Sequence, residues 1–190
     1  MRTLAHFILF FVISLSVGFG LSYWALEKGQ LFGTLQVGPW IAWSDVGSPQ
    51  PDPYTRAYIS RNANLELSRA EGIKFVAKQD SDGRDILAQC NYRIDGTTPE
   101  TSFWTLAAIN DRGASVTRES GPMTLRGDQV NRESDGSFAL HVGPFLSASN
   151  WLETSAEGRM VLVLTLYDSS VFSGLSSLSN SLPSIFLERC

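Results

Sequence analysis

Histidine, cysteine and lysine are the scarce residues of this 190-residue chain. It has two histidines and two cysteines. Beyond residue 28 there are only two lysines, Lys74 and Lys78, and a single histidine, His141. One imidazole and two thiols cannot supply the three or four nitrogen and sulfur ligands of a zinc site, so neither a metal nor a cofactor is expected. A G-x-S-x-G nucleophile elbow is also missing, and the many serines fall in segments that read as loops. Positive charge is short as well. The net charge is −4, and setting aside Arg2, Glu27 and Lys28 leaves 13 basic and 18 acidic side chains, a net of −5. Nucleic acid and anionic lipid surfaces both require a basic patch, and the sequence has none.

What is present begins with a nearly uncharged run from Leu4 to Leu26. At about 1.5 Å per residue it is long enough to cross the hydrocarbon core of a bilayer. A cleaved secretory signal is the competing reading, but it would be shorter and would end in small residues at an A-x-A-like site. Tyr23 and Trp24 fit an interfacial aromatic belt instead. Arg2 and the α-amino group precede the span, while Glu27 and Lys28 cancel after it, so the positive-inside rule sends residues 29–190 across the membrane. An uncleaved signal anchor is expected. Ser14, Gly18 and Ser22 share one face of this helix at four-residue spacing, a pattern that permits close pairing of two helices. Small residues are also simply common in membrane helices.

In an oxidising compartment, Cys90 and Cys190 are expected to pair. The bond would tie the last residue to an interior strand and close a loop of about 100 residues, contributing roughly 4–5 kcal/mol in the chain-entropy model.

Residues 29–51 are rich in Gly and Pro and carry no helical period. Asp52-Pro53 then opens a short helix reaching about Arg61, with Asp as N-cap and Pro at the first helical position. Ser68 and Glu71 resemble a capping box that Gly72 cuts short. From Ile73 the pattern turns to strands. IKFVAKQD and CNYRID alternate apolar and polar residues, SFWTLAAIN reads as a central strand, and QVNRES and SFALHVG flank the turn Ser134-Asp135-Gly136. RMVLVLTLYD is the longest strand, Ser169–Ser184 reads as a loop wrapping the sandwich, and IFLERC as an edge strand. The expected fold is mainly β, an antiparallel, jelly-roll-like sandwich preceded by one transmembrane helix and a short helix. Its expected organisation is an anchor over 1–28, a Gly/Pro-rich segment with the short helix over 29–72, and the sandwich over 73–190.

Several phrases recur together in one order: GPWIAW (38–43), DPYTRA (52–57), SFWTL (102–106), DGSF (135–138), NWL (150–152) and GRMVLVLTLYD (158–168). By these phrases the chain resembles the bacterial family called domain of unknown function 1214, in a short, membrane-anchored form. The resemblance implies a jelly-roll-like β-sandwich and lacks the second β domain of longer relatives. With the anchor, it places the chain in the bacterial inner membrane, with its N-terminus cytoplasmic and its sandwich periplasmic.

Trp40, Trp43, Tyr54, Arg56, Tyr58, Trp104 and Trp151 lie within those phrases or beside them, and form the candidate binding set. Tryptophan with arginine suits a sugar ring or a peptide. The bland alternative is packing, with Trp40 and Trp43 docking the N-terminal segment and Trp151 plugging one end. His141 is the only histidine available to a triad, and on its strand it faces away from Phe138, Leu140 and Val142. The run Asp80-Ser-Asp82-Gly-Arg-Asp85 begins like a calcium loop but has Asn91 where the pattern needs Glu, so a solvated turn is expected. Together these features point to a membrane-anchored binding or scaffolding protein of the envelope, with an unknown envelope ligand or protein as partner. The alternative is a hydrolase of an envelope carbohydrate or ester, with Arg56, Asp45 or His141 near the reaction.

Overall fold

The computed structural model describes residues 2–28, 34–43, 46–62, 67–68, 71–155, 157–169 and 182–190. Asp45 and most of the expected wrapping loop, residues 170–181, lie outside them. The chain divides into two compact units, Met1–Thr34 with Ser44–Glu66, and Leu35–Trp43 with Leu67–Cys190.

The first unit holds two helices. Helix α1 (Arg2–Lys28) contains a 22-residue stretch, Thr3–Trp24, of mean hydropathy 2.2. It is long and apolar enough to cross a membrane, a test that a signal sequence also passes. Its large apolar side chains are exposed, as lipid contact requires. Helix α2 (Pro53–Asn62) starts where the capping chemistry places it, with Thr55 N donating to Asp52 Oδ1 at 3.2 Å.

The second unit is a two-sheet sandwich. The first sheet has the order β1 (Thr34–Val37), β2 (Trp40–Trp43), β3 (Gly72–Ala77), β9 (Val161–Ser169), β5 (Thr101–Ile109), β6 (Thr124–Arg126). The second has the order β10 (Ser184–Arg189), β4 (Asn91–Gly96), β7 (Phe138–Gly143), β8 (Trp151–Glu153). The β10–β4, β2–β3, β3–β9, β4–β7, β5–β6 and β5–β9 pairs are antiparallel, and β7 with β8 is parallel. Strand β9 lies between β3 and β5, and every residue from Val161 to Leu166 is buried. That is why its sequence is continuously apolar where its neighbours alternate. Phe75, Leu106, Leu162 and Leu164 from the first sheet meet Tyr92, Ile94, Leu140, Val142 and Ile185 from the second in one core.

Three elements depart from expectation. Residues 34–43 form β1 and β2, because Gly38 takes φ 56° in the turn between them and lets the chain double back. These strands have four residues each, too short to show a period within a Gly/Pro-rich segment. QVNRES forms no strand, although the turn after it does form, with Gly136 N bonded to Glu133 O. Its backbone is satisfied by a side chain instead: Asn150 accepts from Asn131 N at 2.8 Å and donates to Asn131 O at 2.9 Å. Third, β6 and β8 are three-residue strands that carry too little pattern to read.

The Asp80 loop is not a simple solvated turn. Asp80 is 3% exposed, and its Oδ1 accepts the N–H groups of Asp82 and Arg84 while Oδ2 takes Arg84 Nε at 2.8 Å. Those bonds occupy the oxygens a cation would need. The loop also holds β10, since Ser81 N donates to Ile185 O and Ile185 N to Ser81 Oγ, both at 2.9 Å. Asp80→Ala should therefore destabilise the sandwich by about 2–3 kcal/mol, measured by urea unfolding, because a buried carboxylate loses three part-buried hydrogen bonds together. Burial and the nearby Asp80 charge push the Tyr92 phenol up from its ordinary value. At the Ser68–Glu71 turn, Glu71 Oε2 accepts from Ser68 N at 3.0 Å, and hydrogen bonding holds that carboxyl below its ordinary value.

Candidate functional site

Each strand of the second sheet sends alternate side chains into the core and away from it. Register decides which outward residues become neighbours. Phe186 on β10 pairs with Arg93 on β4, Arg93 with His141 on β7, and His141 with Trp151 on β8. Their side chains thus form one transverse row across all four strands. With neighbouring strands about 4.8 Å apart, the row spans roughly 14 Å. Ser184, Asp95 and Ala139 form the adjacent row.

One ion pair and one hydrogen-bonded pair lie within this face. The Arg93 guanidinium is 2.7 Å from Asp95 Oδ2. The Nδ1 of His141 is 3.2 Å from Glu188 Oε2, and Glu188 reaches it because the register of β10 shifts between Leu187 and Arg189. Trp151 is half-buried, with its indole N–H donated to Gly143 O at 3.0 Å, while Phe186 is 40% exposed. Beside the row, Phe145 is fixed by Asn91, which accepts from Phe145 N at 3.1 Å and donates to Phe145 O at 3.0 Å. The Arg189 guanidinium sits 3.9 Å from the Phe145 ring centre, within cation–π range.

Of the aromatic set expected from sequence, Trp40, Trp43, Trp104 and Trp151 lie in the second unit and Tyr54, Arg56 and Tyr58 in the first. Trp40 is fully buried and donates its indole N–H to Pro183 O at 2.6 Å, tying β2 to the start of β10. Trp104 is 2% exposed, stacked on Phe138 with ring centres 5.1 Å apart, and Arg132 lies over both rings. Its indole N–H has no hydrogen-bond partner among the described residues, and it faces Gly127, where an added Cβ would stand 2.6 Å away. No room for a ligand exists there. Trp43 is half-buried at the end of β2. Arg56 is exposed on α2, in the other unit, and the side chains of Tyr54 and Tyr58 on that helix lie outside the described residues. Of the four tryptophans in the second unit, Trp151 stands in the row. Cys90 and Cys190 are disulfide-bonded, with the Cys90 side buried.

His141 faces outward, as the alternation in FALHVG predicts. Among the described residues its hydrogen-bond partner is Glu188 alone, so no hydroxyl or thiol is bonded to it as a triad nucleophile would be. Arg93, Phe186, Glu188 and Asp95 were not among the expected site residues. The alternation in CNYRID and IFLERC places them on outward faces, but only the β10–β4–β7 register makes them one surface.

A family model described as "Protein of unknown function (DUF1214)" matches residues 71–171. The phrases at 38–43 and 52–57 lie upstream of that range. A crystal structure of a Vibrio parahaemolyticus protein is similar with TM-score 0.58 and 15% identity over 72% of this chain, a likeness of fold. This chain spans 35% of that protein's length. An uncharacterised protein from Burkholderia cenocepacia aligns with TM-score 0.44 and 14% identity, over 87% of this chain and 39% of its own. Among curated proteins none matches at a significant level.

Proposed function

The chain belongs to the DUF1214 family of proteins of unknown function, and from that premise we propose that it is a membrane-tethered, exported β-sandwich that binds or scaffolds in the bacterial cell envelope. The observation that carries the reading is the combination of α1 with the Cys90–Cys190 disulfide. Disulfides persist in oxidising compartments such as the periplasm, and α1 is the segment that could both deliver the sandwich there and hold it at the inner membrane. Binding fits better than hydrolysis because, among the described residues, no hydroxyl or thiol is hydrogen-bonded to His141; the Nδ1–Glu188 contact, which a triad would also have, stands without a bonded nucleophile. The tether also carries Ser14, Gly18 and Ser22 on one helix face, small residues whose spacing suits pairing with a second copy.

Reporter fusions test the topology. Alkaline phosphatase fused after residue 190 should be active, a green fluorescent protein at the same place dark, and the protein should resist carbonate extraction from membranes. The reversed reporter pattern would overturn export. A mature protein beginning after residue 28 would overturn the tether.

A further inference from the structure

We infer that the outward face of the second sheet, built on the row Phe186–Arg93–His141–Trp151, is a platform for a neutral glycan. The inference rests on the binding reading above and names the site and the ligand class. Three properties of the face point to this occupant. Aromatic rings stand at both ends of the row, on β10 and β8, and the apolar face of a sugar ring packs on such surfaces. Between them the polar groups come as pairs, Arg93 with Asp95 and His141 with Glu188. Arg93 offers N–H donors beside the Asp95 carboxylate, and the His141 ring offers a second nitrogen beside the Glu188 carboxylate, which matches hydroxyl groups that donate and accept at once.

The pairing also leaves the row without free positive charge, since Arg93, its permanent cation, is matched by Asp95. An anionic polymer would find no uncompensated cation in the row, and the chain's net charge of −4 repels it further. An extended peptide added as a strand needs free backbone N–H and C=O groups. Such groups lie along the edges of β10 and β8, not on the face, where the backbone of β4 and β7 is committed to ladders on both sides and only side chains are presented. An elongated, uncharged, polyhydroxylated chain crossing the strands is the ligand that uses both the aromatic ends and the paired centre.

The test is titration of the full-length protein, in a sugar-free zwitterionic detergent, with maltotetraose and with chitotetraose, read by tryptophan fluorescence and calorimetry. Saturable binding of at least one is expected, and Phe186→Ala and Trp151→Ala should each weaken it about tenfold. Trp151→Phe should retain most of it. Phe186 is exposed at an edge strand, so its variant should keep the near-ultraviolet circular dichroism of the folded chain. Three results overturn the inference: no saturable binding of either sugar, binding unchanged in both alanine variants, or a Phe186→Ala protein that turns from dimer to monomer, which gives the face to a second copy. The topology result is independent. An exported protein that ignores both sugars loses the platform and keeps the tether; a protein that binds but is not exported does the reverse.

Discussion

A Cys190→Ser protein should unfold about 10–20 °C below the parent, and treatment of the parent with a reductant should produce nearly the same loss. The Cys90–Cys190 bond joins residues separated by 100 positions. Constraining a loop of that length in the unfolded chain contributes about 4–5 kcal/mol in the entropic model. For a domain of this size each kcal/mol shifts the midpoint by roughly 2–4 °C. Cys190 is the better position to change, because it is exposed while Cys90 is fully buried, where a lone thiol behaves as a small apolar side chain. The loss should be local before it is global. Strand β10 is an edge strand held to β4 by one ladder, to the Asp80 loop through Ser81, and to β2 through the Trp40–Pro183 bond. Hydrogen exchange at Phe186 and Leu187 should therefore accelerate more than at Leu164 on the central strand β9. A midpoint unchanged by both the substitution and reduction would show that the bond adds nothing to the folded state.

The second large effect is expected at Gly143. A Cβ there would stand 2.0 Å from Asn91 Oδ1 and 2.7 Å from Asn91 Cα, distances that no rotamer change can relieve because one partner is backbone. Gly143 lies between two strands, with β4 on one side and Glu153 of β8 paired to it on the other, so the chain has little freedom to yield. Gly143→Ala should cost about 3 kcal/mol or more by denaturant unfolding, at the upper end for overpacked sites. Asn91→Ala provides the comparison. It removes the amide that fixes Phe145 from both sides, and should cost about 1–3 kcal/mol as a lost buried hydrogen-bonding group. The order matters more than either value. If Asn91→Ala were the more damaging, the role of Gly143 would be only to admit the amide, not to let two backbones approach.

Both effects turn on residues whose types are plain in the sequence and whose partners are not. The β character of residues 73–168 was legible because alternation has a period of two, and a half-buried strand must obey it. Strand β9 was legible for the opposite reason, an apolar run that only a strand with both faces covered tolerates. The cap at Asp52 and the turn at Ser134-Asp135-Gly136 were legible because their chemistry is local. QVNRES was misread as a strand because its backbone partner, Asn150, lies 19 positions along the chain from Asn131 and acts through a side chain. No period signals such a bond.

The candidate site divides along the same line. Outward placement of His141 and Arg93 follows from alternation within each strand. Their adjacency, and the arrival of Phe186, Glu188 and Trp151 beside them, follows from the register between strands far apart in sequence and from the irregularity in β10. The tryptophans most prominent in the sequence, Trp40 and Trp104, went to the core, where a large ring gains more from burial than from display. By itself the sequence determined the apolar helix, the oxidised cysteine pair, the acidic balance of charge and the strand-rich class, since each depends on composition or short-range period. Only the tertiary structure decided which outward residues share a surface, because cross-strand neighbours are set by backbone pairing between segments whose separation the sequence does not encode locally.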